Sequence, residues 1–215
     1  MDQRTFLVLG GTGRTGRHFV RLALDEGHRV RALVRDPAKL ALPHPGLERV
    51  SGSITENPDL DALLAGTDHV VAMLGNAAMQ REHAINTAFV RALVPAMRRH
   101  GVSRFLYQAG GLSAPPGKKL PPSLRLVRAT LARRNVGQHE DNETVMRYLT
   151  DEAGDIEWMV HRAAIRGEGP SRGVLHRSGT DSSLATFTDC AAYNLRTVMD
   201  ATAVHTCDLS TYRAR

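Results

Sequence analysis

The sequence is poor in cysteine, in aromatic residues and in long apolar runs, and each shortage excludes a class of protein. Its 215 residues include two cysteines, Cys190 and Cys207, whose spacing fits neither a metal site nor a disulfide framework. We therefore expect no metal, reduced thiols and a cytoplasmic location. No apolar run approaches the roughly 20 residues of a membrane span, and no signal-peptide pattern opens the chain, so neither membrane nor export is expected.

Positive charge is in excess, and arginine supplies nearly all of it. The formal net charge is +6, and lysine occurs only at positions 39, 118 and 119. Such a surface is either simply solvated or a site for phosphates or another anionic ligand. Because the arginines are spread along the chain and aromatic residues make up only 5 %, we do not expect a nucleic-acid partner.

Strand-like and helix-like segments alternate along the whole sequence. Apolar stretches predict strands at 5–9, 28–34, 47–53, 68–75, 103–111, 156–162 and 205–210. Helical spacing and capping residues predict helices after Gly13, at 57–66 with Asn57 as N-cap, at 81–100, 123–134 and 137–151, and at 190–203 with Asp189 as cap. Alternation of this kind predicts an α/β fold, a Rossmann-type doubly wound parallel sheet in a single domain over residues 1–215.

The segment "GGTGRTG" follows the first predicted strand and opens the first predicted helix. Its glycines fit G-x-G-x-x-G from Gly11 and G-x-x-G-x-x-G from Gly10, and in either register they let the backbone turn tightly and approach a pyrophosphate. The helix N-terminus then offers free N–H groups to that anion. The sequence therefore predicts a dinucleotide site, with these candidate contacts: Gly10, Thr12, Gly13, Arg14, Thr15 and Gly16.

The end of the second strand bears on which dinucleotide binds. Arg35 and Lys39 offer positive charge there, and a guanidinium suits a ribose 2′-phosphate. Asp36 precedes a proline and is interpreted as a helix cap rather than a ribose ligand. We therefore favour NADP(H) over NAD(H). Arg14 either touches the same phosphate or is simply an exposed residue at the helix start.

The stretches "GGTGRTG", "ALVRDPAKL" and "VVAMLG" together resemble the atypical short-chain dehydrogenase/reductases, and within them the NmrA-like, NAD(P)H-binding group that includes the biliverdin-IXβ/flavin reductases. The resemblance implies NADP(H) along the carboxyl edge of the sheet, with Arg35 at the 2′-phosphate. It places Leu74 and Gly75 near the adenosine and ribose. Ser53 and Ile54 match the pair beside the adenine, although the family usually has Asp where Ser53 stands.

The sequence departs from the catalytic pattern of typical short-chain dehydrogenases. Those enzymes use Ser, Tyr and Lys, the last two as Y-x-x-x-K, and that motif is absent here. The best-matching place reads "NVGQH", and Gly110 stands where a Ser is common. His139 and Ser113 are the candidate proton donor and substrate contact, although a surface role for His139 and a plain loop role for Ser113 are the favoured interpretations. His161 is interpreted as a core or rim residue.

These observations favour an NADPH-dependent reductase of a flavin-like or other conjugated small molecule, with solvent supplying the proton. Segments 111–135 and 166–185 are predicted to form its substrate pocket, because ligands of such sheets bind beyond the carboxyl ends of the strands. Two alternatives stay open: an NADP(H)-sensing regulatory protein without catalysis, and a redox-neutral isomerase or cyclase. No apolar stripe in the sequence argues for an oligomer.

Overall fold

The computed structural model describes residues 2–75 and 78–213, and these residues form ten strands and six α-helices. The strands are β1 Thr5–Leu9, β2 Arg29–Val34, β3 Leu47–Ser51, β4 His69–Ala72, β5 Arg104–Gly110, β6 Glu157–Ala163, β7 Ile165–Gly167, β8 Leu175–Ser178, β9 Ala185–Thr186 and β10 Thr206–Tyr212. The helices are α1 Arg14–Asp25, α2 Leu60–Leu64, α3 Ile85–His100, α4 Pro122–Ala129, α5 Val136–Glu152 and α6 Phe187–Met199.

Eight of the strands form one sheet in the order β3-β2-β1-β4-β5-β6-β10-β8. The pairs from β3 to β10 are parallel, and β8 alone runs antiparallel at the edge. The strand order reverses between β1 and β4, which opens a crevice at their carboxyl ends. The predicted Rossmann-type α/β fold is confirmed, and the crevice lies directly beyond the glycine-rich segment.

Helices cover both faces of the sheet, because the central strands carry apolar side chains on both sides. Helices α2, α3 and α5 bury one core against the sheet, and α1 and α6 bury the other. Within the second core, the rings of Phe6 and Phe19 meet edge to face with centroids 5.7 Å apart. The two cores fix the strand ends from which the crevice is built.

Local predictions were wrong at two helix starts. Asn57 takes a positive φ of 47° instead of capping, and Asp59 is the N-cap of α2, accepting from the Ala62 N–H at 3.0 Å. Thr186 rather than Asp189 caps α6, through a 3.1 Å bond from the Asp189 N–H. In both cases a capping side chain a few residues away satisfies the first-turn N–H groups.

Candidate active site

The glycine-rich segment turns so tightly that side chains cannot fit at two of its positions. Gly10 has φ +86°, and a Cβ there would lie 2.4 Å from the Met73 carbonyl oxygen. A Cβ at Gly16 would lie 2.1 Å from the Gly10 carbonyl oxygen. Glycine is therefore required where β1 passes into α1, as the sequence predicted for a loop that approaches a phosphate.

The N-terminus of α1 is left open for an anion. Gly13 is its N-cap, no side chain of residues 2–75 or 78–213 caps it, and no acidic residue stands in its first turn. The first N–H groups of a helix need acceptors, and the helix dipole favours a negative one. This end of α1 therefore fits the pyrophosphate of a dinucleotide.

The crevice is divided into two lobes that meet at the glycine loop and the end of β4. The β2–β3 lobe is lined by Gly10, Thr12, Gly13, Leu33, Val34, Arg35, Gly52, Ser53, Ile54, Thr55, Met73, Leu74, Gly75, Met79, Ile85 and Asn86. The β5–β6 lobe is the larger of the two. Its main lining residues are Gly13, Arg14, Thr15, Gly16, Leu74, Gly75, Gln108, Gly110, Leu112, Leu124, Val127, Ala132, Asn135, Gln138, His139, Ala163, Ser182, Leu184 and Phe187.

Arg35 gives the β2–β3 lobe its positive charge. Its side chain is exposed, and within residues 2–75 and 78–213 its guanidinium has no hydrogen-bond or ion-pair partner. Asp36 is engaged elsewhere, because its carboxylate accepts from the Ala38 N–H at 3.1 Å and faces Lys39 Nζ at 3.9 Å. The predicted capping role of Asp36 is thus confirmed, and the free charge at the end of β2 is positive.

Three basic residues that the sequence offered to the cofactor lie apart in this structure. Arg14 lies in the β5–β6 lobe, where its guanidinium carbon is 5.3 Å from the centroid of the Phe187 ring. Lys39 pairs with Asp36 outside both lobes. Of the three, Arg35 is the one whose side chain lines the β2–β3 lobe.

Ser53 and Ile54 line the far end of the β2–β3 lobe, as the resemblance implied. Ser53 is buried, and its hydroxyl lies 2.9 Å from the hydroxyl of Thr55. This hydroxyl pair replaces the carboxylate that the family usually has at position 53. The lobe therefore carries no acid at this strand end to oppose Arg35.

His139 of α5 lies in the β5–β6 lobe against the backbone at Gly110. A Cβ at position 110 would be 3.4 Å from Cε1 of the imidazole. The ring therefore lies within ordinary van der Waals reach of a side chain at 110. Burial, and to a lesser degree the charge of Arg128, lower the pKa of His139, so its ring is neutral at neutral pH.

A chain of buried hydrogen bonds supports His139 from behind. Asn86 Nδ2 donates to the Tyr107 hydroxyl at 2.8 Å, and this hydroxyl donates to Asn142 Oδ1 at 2.6 Å. Asn142 Nδ2 donates to Ser113 Oγ at 3.3 Å, and that hydroxyl lies 3.4 Å from His139 Nδ1. If the serine proton goes to Nδ1, the ring carries its own proton on Nε2, which has no hydrogen-bond partner within the described residues.

Ser113 is therefore placed differently from the expectation. Its side chain is fully buried and is absent from the lining of both lobes, so it contacts His139 and Asn142 rather than a substrate. Its carbonyl oxygen accepts from Arg162 Nε at 2.9 Å, which anchors the loop after β5. Tyr107 is likewise removed from the substrate side of the crevice, since its hydroxyl is buried in the hydrogen-bond chain. Burial raises the pKa of its phenol, which therefore stays protonated.

Sequence reasoning missed Asp141, Gln138 and Gln108. Asp141 of α5 accepts from the backbone N–H groups of Asn86 and Thr87 at 3.0 and 2.9 Å, so it caps α3 from another helix. Gln138 reaches the loop after β4, and Gln108 lines the β5–β6 lobe. The available signal was a polar residue inside the apolar strand "RFLYQAG" and the polar run "GQHEDNE" on a helix.

Comparison with known proteins agrees with the dinucleotide geometry. A family model described as NAD(P)H-binding matches residues 10–186. The chain is 35 % identical to a 3-beta-hydroxysteroid dehydrogenase of Mycolicibacterium neoaurum over 119 residues, which is 50 % of this chain and 32 % of that protein. The match thus spans about a third of the length of this curated relative.

Solved structures share the fold along nearly the whole chain. An oxidoreductase from Lactococcus lactis matches with a TM-score of 0.79 and 16 % identity, covering 97 % of this chain and 91 % of that one. An anaerobillin reductase from Escherichia coli O157:H7 matches with a TM-score of 0.71 and 15 % identity, covering 98 % and 100 %. At these identities the likeness is one of fold.

The fold and the glycine loop define a nicotinamide-dinucleotide-binding Rossmann protein. The chain belongs to the NAD(P)H-binding family whose model it matches, and this membership fits the resemblance to the NmrA-like group. Among the described residues, no helix has both the length and the apolar character that crossing a membrane requires. In the same residues, no three His, Cys, Asp or Glu side chains gather as metal ligands.

Proposed function

We propose that the protein is an NADPH-dependent reductase of a flavin-like or other conjugated small molecule, within the NmrA-like atypical short-chain dehydrogenase/reductases. The observation that carries the proposal is the two-lobed crevice. One lobe presents the unpaired charge of Arg35, and the other combines apolar and polar lining residues and contains a neutral histidine. The anaerobillin reductase with the same fold is consistent with this reaction class.

The residues of the β2–β3 lobe suit a phosphorylated adenosine. Arg35 would hold the 2′-phosphate, the N-terminus of α1 the pyrophosphate, and Ser53 and Ile54 would border the adenine. An NAD-specific site normally presents an acid to the ribose 2′-hydroxyl, and here Asp36 is held by its own helix cap. These features support NADP(H) over NAD(H).

The β5–β6 lobe suits a substrate that needs little acid catalysis. NADPH supplies a hydride when bound, and a conjugated acceptor spreads the resulting charge over several atoms. Tyr107 is sealed in the hydrogen-bond chain, and the lowered pKa of His139 keeps its ring neutral, so neither side chain holds a proton ready for transfer at neutral pH. We propose that the His139 ring shapes the lobe beside the acceptor, that Ser113 positions His139, and that solvent supplies the proton.

The substrate pocket is proposed to include parts of both segments expected from the sequence. Leu112, Leu124 and Val127 of the first segment and Ser182 and Leu184 of the second line the β5–β6 lobe. The leucine and valine side chains among them offer an apolar surface to a conjugated acceptor. We also propose a cytoplasmic location, which accords with the two free cysteines.

The cofactor assignment is tested with Arg35→Ala. Loss of an unpaired guanidinium that binds a phosphate should weaken NADP(H) binding at least tenfold and leave NAD(H) binding within about twofold, as measured by calorimetric titration. Arg29→Ala, at the opposite end of β2, is the matched control and should change neither affinity. Equal weakening of both dinucleotides by Arg35→Ala would contradict the 2′-phosphate assignment.

The reaction class is tested by mixing the protein with NADPH and a panel of quinones and flavins, and following nicotinamide absorbance. We expect oxidation of NADPH by at least one conjugated acceptor, with His139→Ala raising the KM for that acceptor. Tight NADPH binding without oxidation across the panel would favour the sensing protein instead. Conversion of a substrate without net change in NADPH would favour the isomerase or cyclase.

A further inference from the structure

Gln108 is an amide in the middle of an otherwise apolar strand, and it lines the β5–β6 lobe. Its Oε1 accepts from Asn194 Nδ2 of α6 at 2.7 Å. Within the described residues, Gln108 Nε2 has no hydrogen-bond partner. The carbonyl end of the Gln108 amide is thus held by Asn194, and its NH2 end is available to a ligand.

The support beneath Gln108 is a second buried relay, separate from the chain behind His139. Asn194 Oδ1 lies 2.6 Å from His161 Nδ1, and His161 Nε2 lies 2.9 Å from Ser210 Oγ. Asn194 is fully buried, and His161 and Ser210 are almost so. His161 pairs with Gln108 across the β5–β6 register, so all these groups lie on the α6 face of the sheet.

The relay has a direction. Asn194 uses its Nδ2 toward Gln108, so its Oδ1 must accept, and His161 must donate from Nδ1. His161 Nε2 then accepts from the Ser210 hydroxyl. Burial lowers the pKa of His161 to about 4, so the ring is neutral and carries a single N–H. The protons therefore point one way, from Ser210 toward the crevice.

We propose that this relay makes Gln108 a dedicated amide donor, which recognises a carbonyl oxygen of the molecule bound in the β5–β6 lobe. Ser210, His161 and Asn194 are positioning residues that stop the amide from turning over. A ligand with an N–H group at this point is disfavoured, since it would face another donor. The inference rests on the proposed function, because it takes the β5–β6 lobe to hold the nicotinamide and the acceptor.

The carbonyl oxygen has two sources, which binding experiments separate. One is the carboxamide of the nicotinamide, and the other is a carbonyl of the acceptor. Gln108→Glu keeps the shape but replaces the N–H donor by a carboxylate oxygen that repels a carbonyl. Gln108→Met, which has no amide, is the second variant. Gln3→Glu adds the same charge at an exposed site and is the control.

If the carboxamide is the ligand group, both Gln108 variants should weaken NADP+ binding about tenfold and spare an NADP+ fragment lacking nicotinamide. If the acceptor is the source, its KM should rise about tenfold at unchanged NADP+ affinity. Unchanged NADP+ affinity together with an unchanged KM would overturn the proposal.

The direction of the relay is read without any ligand by nitrogen NMR of the histidine rings. We expect a neutral Nδ1–H tautomer for His161, assigned by comparison with His161→Gln. An Nε2–H tautomer would reverse every bond, turn Gln108 Oε1 toward the crevice and overturn the proposal. An Nδ1–H tautomer in a protein that binds no NADP(H) would count against the proposed function alone, with the relay intact.

Discussion

His139 lies within ordinary van der Waals reach of a side chain at position 110, so the two positions are neighbours in the β5–β6 lobe. Gly110 removes a side chain from the end of β5, and the imidazole packs against the exposed backbone. A Cβ at 110 would meet the ring at 3.4 Å, an ordinary contact, so a change at either position bears directly on the other.

His161 should make stability depend on pH. Its pKa in the folded protein, about 4, lies below the 6.5 of an unperturbed histidine, so the unfolded chain binds the proton more tightly. Its contribution is complete above pH 6.5 and is lost as the pH falls toward 4. At pH 5 the loss is about 2 kcal/mol relative to pH 7, by linkage.

The comparison of wild type with His161→Gln isolates this effect from other titrating groups. Urea unfolding at pH 7 and pH 5 should show the stability difference between the two proteins shrinking by about 2 kcal/mol at the lower pH. A difference that is constant with pH would mean that His161 is not buried in its neutral form.

For single residues, the sequence predicted those whose role depends on their neighbours along the chain. The glycines that the turn requires were found because a strand, a turn and a helix follow one another within a few residues. Ser113 was misplaced, and Asp141 was missed, because their contacts lie 29 and up to 61 residues away along the chain. No local pattern encodes which distant polar group will meet them.

Helix α3 begins with its N-terminal N–H groups on a carboxylate from α5. Asp141 is almost fully buried there and also accepts from the side chains of Gln80 and Thr87 at 2.7 and 2.6 Å. The helix itself has no capping side chain of its own. One residue therefore satisfies the start of α3 and joins α3 to α5.

Replacing this carboxylate should destabilise the protein although the side chain keeps its shape. In Asp141→Asn the amide group turns at least one N–H toward helix N–H groups, and we expect a loss of about 2 kcal/mol. Thermal unfolding should then shift down by roughly 4–8 °C for a chain of this size. The exposed Asp151→Asn on the same helix is the control, and equal shifts would refute the capping role.

Elements defined by their own residues were predicted well, and elements defined by pairing were not. Strands β1, β2 and β4–β6 are apolar runs, which can be recognised in the sequence. Strands β7, β8 and β9 lie in a Gly/Ser/Arg-rich region without periodicity, and β8 exists because β10 offers it an antiparallel edge. Partner strands of this kind are visible only once the sheet is assembled.

For the whole molecule, the excess charge is concentrated rather than spread, which corrects the first impression from the sequence. The chain has 28 basic and 22 acidic residues, and its net charge of +6 equals the charge of residues 118–134 alone. That segment contains Lys118, Lys119, Arg125, Arg128, Arg133 and Arg134 and no acidic residue. The remainder of the chain is formally neutral.

Helix α4 lies within this basic segment and is held to the rest of the molecule by few contacts. None of its residues is buried, although Leu124 and Val127 line the β5–β6 lobe. Arg128 ties it to α5 by an ion pair with Glu143, which also accepts from the Ala114 N–H at 2.7 Å. Local unfolding should therefore cost the least free energy in a segment that buries so little surface.

This weak attachment has a consequence for proteolysis. Trypsin cleaves after arginine and lysine, so its first cuts should fall within residues 118–134, as mapped by mass spectrometry. Glu143→Gln should speed these cuts several-fold by releasing Arg128, whereas the exposed Glu140→Gln one turn away should not. A ligand that fills the β5–β6 lobe should slow these cuts, because it binds the state in which α4 is packed against the lobe and not the locally opened state. Protease protection could then be used to screen for the substrate before any turnover is observed.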